Sequence, residues 1–529
     1  MNWHAVKACL DSLKRQIVQP TKPTAEQQIA IEHALRGESF KVVAYAGTGK
    51  TTTLQMISAA MPERRGMYLA FNKAIASEAQ QKFHRNVDSR TFHSLAYRSV
   101  PRDITDKLRL PRLSPSFLAK EYRLEPITLR RLMGGRYEKY ALMPSRLASI
   151  VVNAVGYFCA TSSQYPAPRH IQVPSWLHPD DATALQQHLY PALERRWLDS
   201  VNPQHQAGIG HDIYLKLWAL SEPYIPADYI LFDEAQDADP LMLGILLQQK
   251  NTQVIYVGDA HQQIYAWRGA VNAMQKLPLT ESRLTTSFRF GEPIAEVANS
   301  LLGGLKETVP LHGNPERKSS VVNKPHTKKR DAILCRTNAR AMELLLAGLV
   351  SNEKVSLQAD HARLNRFIDA ASILKQGKRV TDVPELAWFN SWHDVHEYCE
   401  TNEGSDIKPL VKLVDDHGTA PLKRALEKIT PIQEADYVIS TAHKAKGLEW
   451  DRVHLEDDYQ FKLNAHDHKI SDEELRLLYV ACTRAKTSLN IHHIYDLIQQ
   501  LKQKTPLKSH TLASPFAVDA ADLKQVTNL

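Results

Sequence analysis

Short apolar runs alternate with helix-like segments in the first part of the chain. The runs KVVAYA at 41–46 and MYLAF at 67–71 are each followed by a helical pattern. The same strand pattern returns in YILFDEAQD at 229–237 and in TQVIYVGDA at 252–260. Strands that alternate with helices are typical of a parallel sheet, so we predict a parallel α/β domain here.

Two segments interrupt this alternation. Residues 99–205 are rich in leucine, arginine and proline, so we predict a mainly helical insertion there. Residues 351–432 also contain several prolines, so we predict a shorter insertion there. A second α/β pattern begins near residue 284, breaks at the basic stretch NPERKSSVVNKPHTKKR, and ends with a stretch that starts at ADYVISTAHKAKGLEW. We therefore predict a first α/β domain (1–98 and 206–283) with a first insertion (99–205), and a second α/β domain (284–350 and 433–529) with a second insertion (351–432).

The bulk composition is that of a soluble globular protein. The chain has 529 residues, of which 43% are hydrophobic and 23% charged. It has no apolar run of about 18 residues, and its first residues interleave charges, so we expect no membrane span and no secretory signal. The five cysteines form no CxxC pair, which indicates a reducing compartment without structural zinc or disulfides. The net charge of +8 permits a polyanionic partner without requiring one.

The stretch VVAYAGTGKTTTL at 42–54 has the residues of a phosphate-binding loop. A buried strand would end at a loop of small residues whose N–H groups surround a phosphate. Lys50 would reach the β- and γ-phosphates, and the Thr51 hydroxyl would hold Mg²⁺. The following helix would add its positive N-terminal dipole. The candidate phosphate-site residues are Ala46, Gly47, Thr48, Gly49, Lys50, Thr51 and Thr52. Such a loop alone fits a kinase, a GTPase, a transporter subunit or a motor.

Two later strands end in residues that a phosphate site needs. Asp233 would bind Mg²⁺, and Glu234 would polarise the attacking water, although a solvated acidic turn gives the same pattern. Gln262 follows the next strand and would sense the γ-phosphate. The turn after it carries aromatic and basic groups suited to stacking on unpaired bases, or to a core: Tyr265, Trp267 and Arg268.

Two arginines are candidates for neutralising charge on the γ-phosphate. They are Arg289 in TTSFRF and Arg484 in LLYVACTRAK. An arginine near the γ-phosphate stabilises the charge that develops there during phosphoryl transfer. A lone arginine is usually a surface residue, so each of these two assignments depends on the other motifs in the chain.

In this order, the motifs resemble those of superfamily 1 DNA helicases of the UvrD/Rep type. The chain is most similar to the compact relatives of the F-box DNA helicases. The resemblance covers most of residues 20–98, 228–350 and 435–495, and the family's phosphate loop commonly has alanine where Ala44 stands. It implies two RecA-like domains with ATP and Mg²⁺ in the cleft between them and single-stranded DNA across their top.

The resemblance also implies roles for further residues. Adenine would be read by Gln27 in TAEQQIAIEHAL and stacked by Phe288, while Gly447 would lie near the γ-phosphate and Glu449 at the ribose. The family usually has an acidic pair where Ala260 and His261 stand, so this chain departs from the pattern there. The implied DNA contacts from the motifs AFNKAIASEA, TFHSLAYR and TAHKAKGLEW are Asn72, Lys73, Thr91, Phe92, His93 and His443.

The function that follows from the resemblance is ATP-driven movement from 3′ to 5′ along single-stranded DNA, with opening of 3′-tailed duplexes. The expected location is the cytoplasm, in a bacterial or phage setting. The short second insertion weakens the expectation of strong processive unwinding. One alternative is a translocase that strips proteins from single strands, as in recombination control or phage defence. A remote alternative is a P-loop switch without motor activity.

Overall fold

The computed structural model describes residues 22–504, apart from 112, 134, 266–270, 326–330, 381–382, 384, 400–406 and 460–469. Two six-stranded sheets organise these residues, and all strand pairs within each sheet are parallel. The predicted fold class, two RecA-like α/β domains with insertions, is confirmed.

The first α/β domain begins with alternating helices and strands. Helix α1 starts at a capping box, in which Thr24 and Gln27 satisfy each other's backbone N–H groups through their side chains. Strand β1 is buried at every position, as the apolar run predicts. The elements are α1 (Ala25–Leu35), β1 (Phe40–Ala44), α2 (Lys50–Ala59), β2 (Gly66–Leu69), α3 (Lys73–Lys82), β3 (Val87–Arg90) and α4 (Phe92–Ser99).

The first insertion is mainly helical, as predicted, but it also contains an antiparallel hairpin that we did not predict. Gly135 lies in the hairpin turn with φ of 81°, a conformation that favours glycine. The Gly-Gly pair at this turn was the available sequence signal for a hairpin. The elements are α5 (Arg102–Asp106), α6 (Pro115–Glu121), β4 (Ile127–Met133), β5 (Arg136–Leu142), α7 (Pro144–Cys159) and α8 (Pro179–Val201).

The chain then returns to the first α/β domain. Its remaining elements are α9 (His211–Leu220), β6 (Tyr229–Phe232), α10 (Pro240–Leu247), β7 (Gln253–Gly258), α11 (Ala273–Lys276) and β8 (Glu281–Leu284). The first sheet has the order β3-β2-β6-β7-β1-β8. The phosphate loop, the acidic pair and Gln262 therefore follow β1, β6 and β7, three neighbouring strands. Ligands of such sheets bind beyond the carboxyl ends of the strands, so this order assembles one site.

The second α/β domain forms the other sheet, with the order β11-β12-β10-β13-β14-β9. Its elements up to the second insertion are α12 (Glu292–Gly304), β9 (Ser320–Val322), β10 (Ala332–Cys335), α13 (Asn338–Val350) and β11 (Val355–Gln358). Strand β11 pairs in parallel with a strand that starts at Tyr437. The predicted boundary at residue 351 therefore needs correction, because residues 355–358 belong to this sheet. A four-residue strand carries too little periodicity to be recognised in sequence.

The second insertion is a small helical body. Its helices are α14 (His361–Lys375), α15 (Trp392–Cys399), α16 (Lys408–His417) and α17 (Thr419–Glu427), and the chain then completes the second domain with β12 (Tyr437–Thr441), α18 (Ala442–Ala445), β13 (Trp450–Leu455), α19 (Asp472–Cys482), β14 (Ala485–Asn490) and α20 (Tyr495–Lys504). Phe389 belongs to the core of the second insertion, whereas its neighbour Trp388 packs on the core of the first insertion. The two insertions are therefore in contact.

The helices within the described ranges include none that is both long enough and apolar enough to span a bilayer.

The core of the first insertion gives a stability prediction. Phe158 is 0% exposed, and its ring packs edge-on against Trp197 at 5.1 Å. We expect Phe158→Ala to lower the free energy of unfolding by about 3–5 kcal/mol, because the cavity cannot fully collapse. Leu198→Ala, on the same helix as Trp197 but 61% exposed, should change it by less than about 0.5 kcal/mol. Urea denaturation measures both, and equal effects would contradict this packing.

Candidate active site

The phosphate loop joins β1 to α2 in the predicted strand–loop–helix order. Gly47 and Gly49 have φ of 75° and 78°, which lie in the left-handed region. A Cβ on Gly47 would lie 2.5 Å from the Ser287 Oγ, so a larger residue would not fit there. The Phe288 N–H donates to the carbonyl of Gly47 over 2.7 Å. The loop is thus held in its curled form by the chain that enters the second domain.

Lys50 and the acidic pair meet at the ends of β1 and β6. The Lys50 Nζ lies 3.4 Å from the Glu234 Oε1. Burial disfavours the charge on Lys50, but the surrounding carboxylates, Glu234 foremost, hold its pKa above the ordinary value. Burial would raise the pKa of Glu234, yet Lys50 and Lys446 lower it to about 2. Burial and the charge of Glu234 raise the pKa of Asp233 to about 6.

The backbone and one tyrosine position this acidic pair. The Tyr68 hydroxyl on β2 donates to the Asp233 Oδ2 over 2.8 Å. Glu234 has φ of 53°, a left-handed conformation that costs a non-glycine residue of order 1–3 kcal/mol and is typical of functional sites. The Gln236 amide donates to the Glu234 carboxylate and accepts the N–H of Asp259 over 3.0 Å. The acidic pair is therefore oriented by fixed partners.

A hydrogen-bonded chain crosses from the first domain to the second. Asp259 is 0% exposed, and its Oδ2 accepts from the Gln262 Nε2 at 2.7 Å and from the Tyr479 hydroxyl at 3.1 Å. The Tyr479 hydroxyl also accepts the N–H of Ala46 in the phosphate loop, over 3.1 Å. Burial is the main cause that raises the pKa of Tyr479, so the hydroxyl keeps its proton. Tyr479 on α19 thus joins the phosphate loop to Asp259.

The two predicted arginines lie at this junction. The Arg484 Nη2 is 3.4 Å from the Gln262 Oε1, and its Nε donates to the carbonyl of Val480. Arg484 is 2% exposed, and burial together with the charge of Arg289 lowers its pKa to about 9. The Arg289 Nε donates to the Glu449 carboxylate at 2.7 Å. The Arg484 guanidinium therefore lies beside the predicted γ-phosphate sensor, and the Arg289 guanidinium is held by residues of the second domain.

Lys446 also lies in the site, although it was not among the residues predicted from the sequence. Its ammonium group contacts the Asp237 carboxylate and donates to the carbonyl of Gln262 over 2.8 Å. It also lies over the Tyr265 ring, 5.4 Å from the centroid. Gly447, the next residue, has φ of 85° and is exposed. From the second domain, Lys446 therefore contacts the segment that follows β6 and the segment that follows β7 in the first domain.

The predicted adenine contacts lie together. Gln27 is 3% exposed, and its Nε2 donates to the Thr53 Oγ1 on α2 over 3.1 Å. A Cβ on Gly49 would lie 3.4 Å from the Phe288 ring and 3.5 Å from the Gln27 Nε2. The glycine thus leaves the ring and the amide close to the end of the phosphate loop.

These donors fit ATP and Mg²⁺. Thr51 and Thr52 are exposed at the start of α2, where N–H groups and the helix dipole favour a phosphate. A carboxylate and a hydroxyl, here Asp233 and Thr51, are ligands that Mg²⁺ prefers. Thr48 is buried, and its hydroxyl donates to the carbonyl of Tyr45, so it shapes the loop from within.

The predicted DNA contacts divide into two groups. Asn72 and Lys73 are exposed at the start of α3, and the Asn72 side chain also caps that helix. Thr91 caps α4 and His93 is half-buried. Phe92 is only 3% exposed and packs edge-on against Phe232, beside the cavity that Thr91 also lines, so its DNA contact stays a prediction. An aromatic residue in a DNA motif and one in a core look alike in sequence.

The other predicted DNA contacts lie in the segments that follow β7 and β12. The Tyr265 hydroxyl donates to the carbonyl of His443 over 3.1 Å, so residues from the two domains meet here. Trp267 and Arg268 lie outside the described residues. Phe71, which the sequence reading left unassigned, is 51% exposed and lines a small cavity together with Thr91 and Glu234.

The departure at His261 has a structural reason. Its Nε2 lies 2.9 Å from the Glu307 Oε2 in the second domain. Burial would raise the pKa of Glu307, but hydrogen bonds from His261 and from two backbone N–H groups lower it to about 2. A histidine with an acidic partner therefore takes the place of the usual acidic residue.

Comparisons with known proteins agree with this geometry. A family model described as an AAA domain matches residues 27–268, and one described as the UvrD-like helicase C-terminal domain matches residues 352–495. F-box DNA helicase protein 1 of Schizosaccharomyces pombe is 32% identical over 517 residues, which cover 88% of this chain and 57% of the relative. F-box DNA helicase 1 of Gallus gallus is 30% identical over 520 residues, which cover 88% and 49%.

A more distant relative, a probable DNA helicase II homolog of Mycoplasma genitalium, is 26% identical over 387 residues, which cover 51% of this chain and 55% of the relative. The chain spans about half the length of the curated relatives it matches. Two parallel α/β domains with this cleft define a P-loop motor architecture. The chain belongs to the UvrD-like helicases of superfamily 1.

The Tyr479 hydroxyl gives a prediction for the cleft. Tyr479→Phe removes one bond to a buried carboxylate and one to the phosphate loop, each worth about 1–3 kcal/mol when lost. We expect folded protein with a lower melting temperature and at least a tenfold slower ATP hydrolysis. Tyr256→Phe is the matched control, because Tyr256 on β7 is a buried tyrosine like Tyr479 and its hydroxyl bonds to no described residue. Equal hydrolysis by the two variants would refute this role of Tyr479.

Proposed function

We propose that this protein hydrolyses ATP to move from 3′ to 5′ along single-stranded DNA and thereby opens 3′-tailed duplexes. The observation that carries the proposal is the 3.4 Å contact between Arg484 of the second domain and Gln262 of the first. Both residues bond into the chain that reaches the phosphate loop through Asp259 and Tyr479. A change at the phosphate site therefore alters hydrogen bonds at the junction of the domains.

Each residue of the cleft has a defined task. Bound ATP with Mg²⁺ supplies the phosphoanhydride bond whose hydrolysis releases energy. Lys50 would hold the β- and γ-phosphates, and Thr51 and Asp233 would hold Mg²⁺. Glu234, kept ionised by Lys50 and Lys446, orients the attacking water and accepts its proton.

The arginines stabilise the charge that develops on the γ-phosphate. Arg484 is buried and has a lowered pKa, so an adjacent phosphate oxygen would favour its charged form. Arg289 is paired with Glu449, and it would exchange part of this contact for the nucleotide. Both groups belong to the second domain, so their movement toward phosphate closes the cleft.

The DNA side of the proposal rests on surface groups beside the acidic pair. Phe71 is 51% exposed and Lys73 is exposed, at the junction of β2 and α3. An aromatic face stacks on any base, and a nearby cation attracts the backbone. Phe71 and Glu234 line the same small cavity, so the exposed aromatic ring lies close to the catalytic carboxylate.

The DNA substrate and the direction of movement are supported by the family. The relatives' names describe DNA helicases, and the resemblance of the motifs implies movement from 3′ to 5′. A second candidate is protein stripping from single strands without strong duplex opening. The small size of the second insertion, with helices α14 to α17, favours this candidate.

Strand displacement on tailed duplexes tests the proposal. We expect single-stranded DNA to stimulate hydrolysis and 3′-tailed duplexes to be opened in preference to 5′-tailed ones. Binding should weaken as salt rises, because phosphate contacts release counterions. Translocation along 3′-tailed DNA without displacement would favour the stripping candidate.

Two variants serve as controls for this experiment. Lys50→Ala should abolish turnover, and Glu234→Gln should bind ATP but trap the closed state. Hydrolysis at the wild-type rate by either one would refute the assigned chemistry. A preference for 5′ tails would refute the direction, and stimulation by RNA alone would refute the substrate.

A further inference from the structure

A cavity of about 430 Å³ lies where the two insertions meet. Helices α6, α7 and α8 of the first insertion form most of its wall, together with the chain around Gly208 and Gly210. Ala387 and Trp388 of the second insertion complete the wall. Its volume lies within the range of about 300–1,000 Å³ that is usual for small-molecule sites. Among the described residues, its lining shares no member with the candidate active site.

Two buried arginines contribute to the lining. Arg146 is 3% exposed and Arg196 is 8% exposed. The Arg146 Nη1 donates to the Tyr140 hydroxyl over 2.8 Å, and its Nη2 donates to the carbonyl of Phe389. The Arg196 Nη2 lies 3.4 Å from the carbonyl of Gly208.

These arginines lack the partners that buried charges usually have. The Arg146 Nε and the Arg196 Nη1 are buried and have no hydrogen-bond partner within the described ranges. No carboxylate of the described residues lies within 4.0 Å of either guanidinium. Buried charges in proteins are normally paired, so two unpaired guanidinium groups at one cavity indicate an anionic ligand.

The surrounding charges agree with an anion. Burial is the main cause that lowers the pKa of Arg146, and the charge of Arg379 adds to this effect, whereas Tyr140 and Asp394 oppose it. An anion beside Arg146 would reverse this effect. The cavity also contains the carboxylate of Asp212, but this residue is exposed, whereas both lining arginines are buried. Both buried charges that line the cavity are therefore positive.

The remaining wall includes an aromatic ring and several aliphatic side chains. Trp388 is half-buried and packs edge-on against Trp176 at 5.7 Å. Ile150 and Leu118 are buried and line the same space. A Cβ built on Gly156 or Gly210 would meet nothing within 4 Å, so both glycines open onto empty space. A planar ring has room beside these groups.

We propose that this cavity binds one nucleotide unit, an aromatic base that carries a phosphate. The base lies against Trp388 and the aliphatic wall, and the phosphate contacts Arg196 and Arg146. The unit is either a free nucleoside monophosphate or the 5′-phosphorylated end of a DNA strand. Because both insertions line the cavity, the ligand bridges them. The proposal does not depend on the function of the cleft.

Calorimetric titration with thymidine 5′-monophosphate tests this site. Excess adenylyl imidodiphosphate with Mg²⁺ fills the cleft, and omitting it should leave the affinity unchanged. We expect saturable binding that Gly156→Leu weakens at least tenfold, because leucine fills the cavity from α7. Gly156→Ala is the matched control and should keep most of the affinity. A helix accepts leucine better than glycine, so Gly156→Leu should melt no lower than the wild type.

A second variant tests the phosphate contact. Arg196→Gln should weaken thymidine 5′-monophosphate at least tenfold and leave thymidine binding and DNA-free hydrolysis unchanged. Competition by 5′-phosphorylated but not 5′-hydroxyl oligothymidylate would identify the strand end as the source, and its absence would identify the free nucleotide. The proposal is overturned if the wild type shows no saturable binding, or if Gly156→Leu melts no lower than the wild type and retains full affinity.

Discussion

The buried carboxylate of Asp259 is the constraint on which the cleft depends. It is 0% exposed and accepts hydrogen bonds from the His261 N–H, the Gln262 amide and the Tyr479 hydroxyl. A buried carboxylate is tolerated only when such partners are in place. Two of these partners come from the first domain and one from the second, so the position of Asp259 fixes how the two sheets meet.

The charges around this carboxylate explain why the cleft suits a nucleotide. Lys50 and Lys446 approach Glu234 from different domains, and they keep it ionised although it is buried. Arg484 has no carboxylate partner among the described residues, and burial lowers its pKa. Several cations thus converge where the negative charge of a polyphosphate would balance theirs. Carboxylates hold these cations in place when no polyphosphate is bound. Binding energy is then available for closing the cleft.

Local motifs could be located from the sequence, because one strand and one turn determine their geometry. The phosphate loop and Asp233 with Glu234 belong to this class. Tyr68 and Tyr479 could not be located as site residues from the sequence. Each lies in an apolar run, and its hydroxyl gains a function only from tertiary contacts. Phe92 shows another limit of the sequence, because its pattern does not distinguish an aromatic residue that packs in a core from one that contacts DNA.

The fold also divides into features that could be predicted from the sequence and features that could not. Both parallel sheets follow from alternating apolar runs and helices, but the strand at Val355–Gln358 was too short to be seen as part of the second sheet. The contact between the insertions, with Trp388 on the core of the first, depends on residues more than 200 positions apart. No periodicity within a single segment encodes such a contact.

A double-mutant cycle across the cleft tests the central claim that Gln262 and Arg484 act as one unit. ATP turnover stimulated by single-stranded DNA is measured for Gln262→Ala, Arg484→Ala and the double variant. Each single change should slow turnover by about 10²–10³-fold, as for other groups that stabilise transition-state charge. The account predicts that the double variant is about as slow as the slower single one. Independent effects that multiply in the double variant would contradict it.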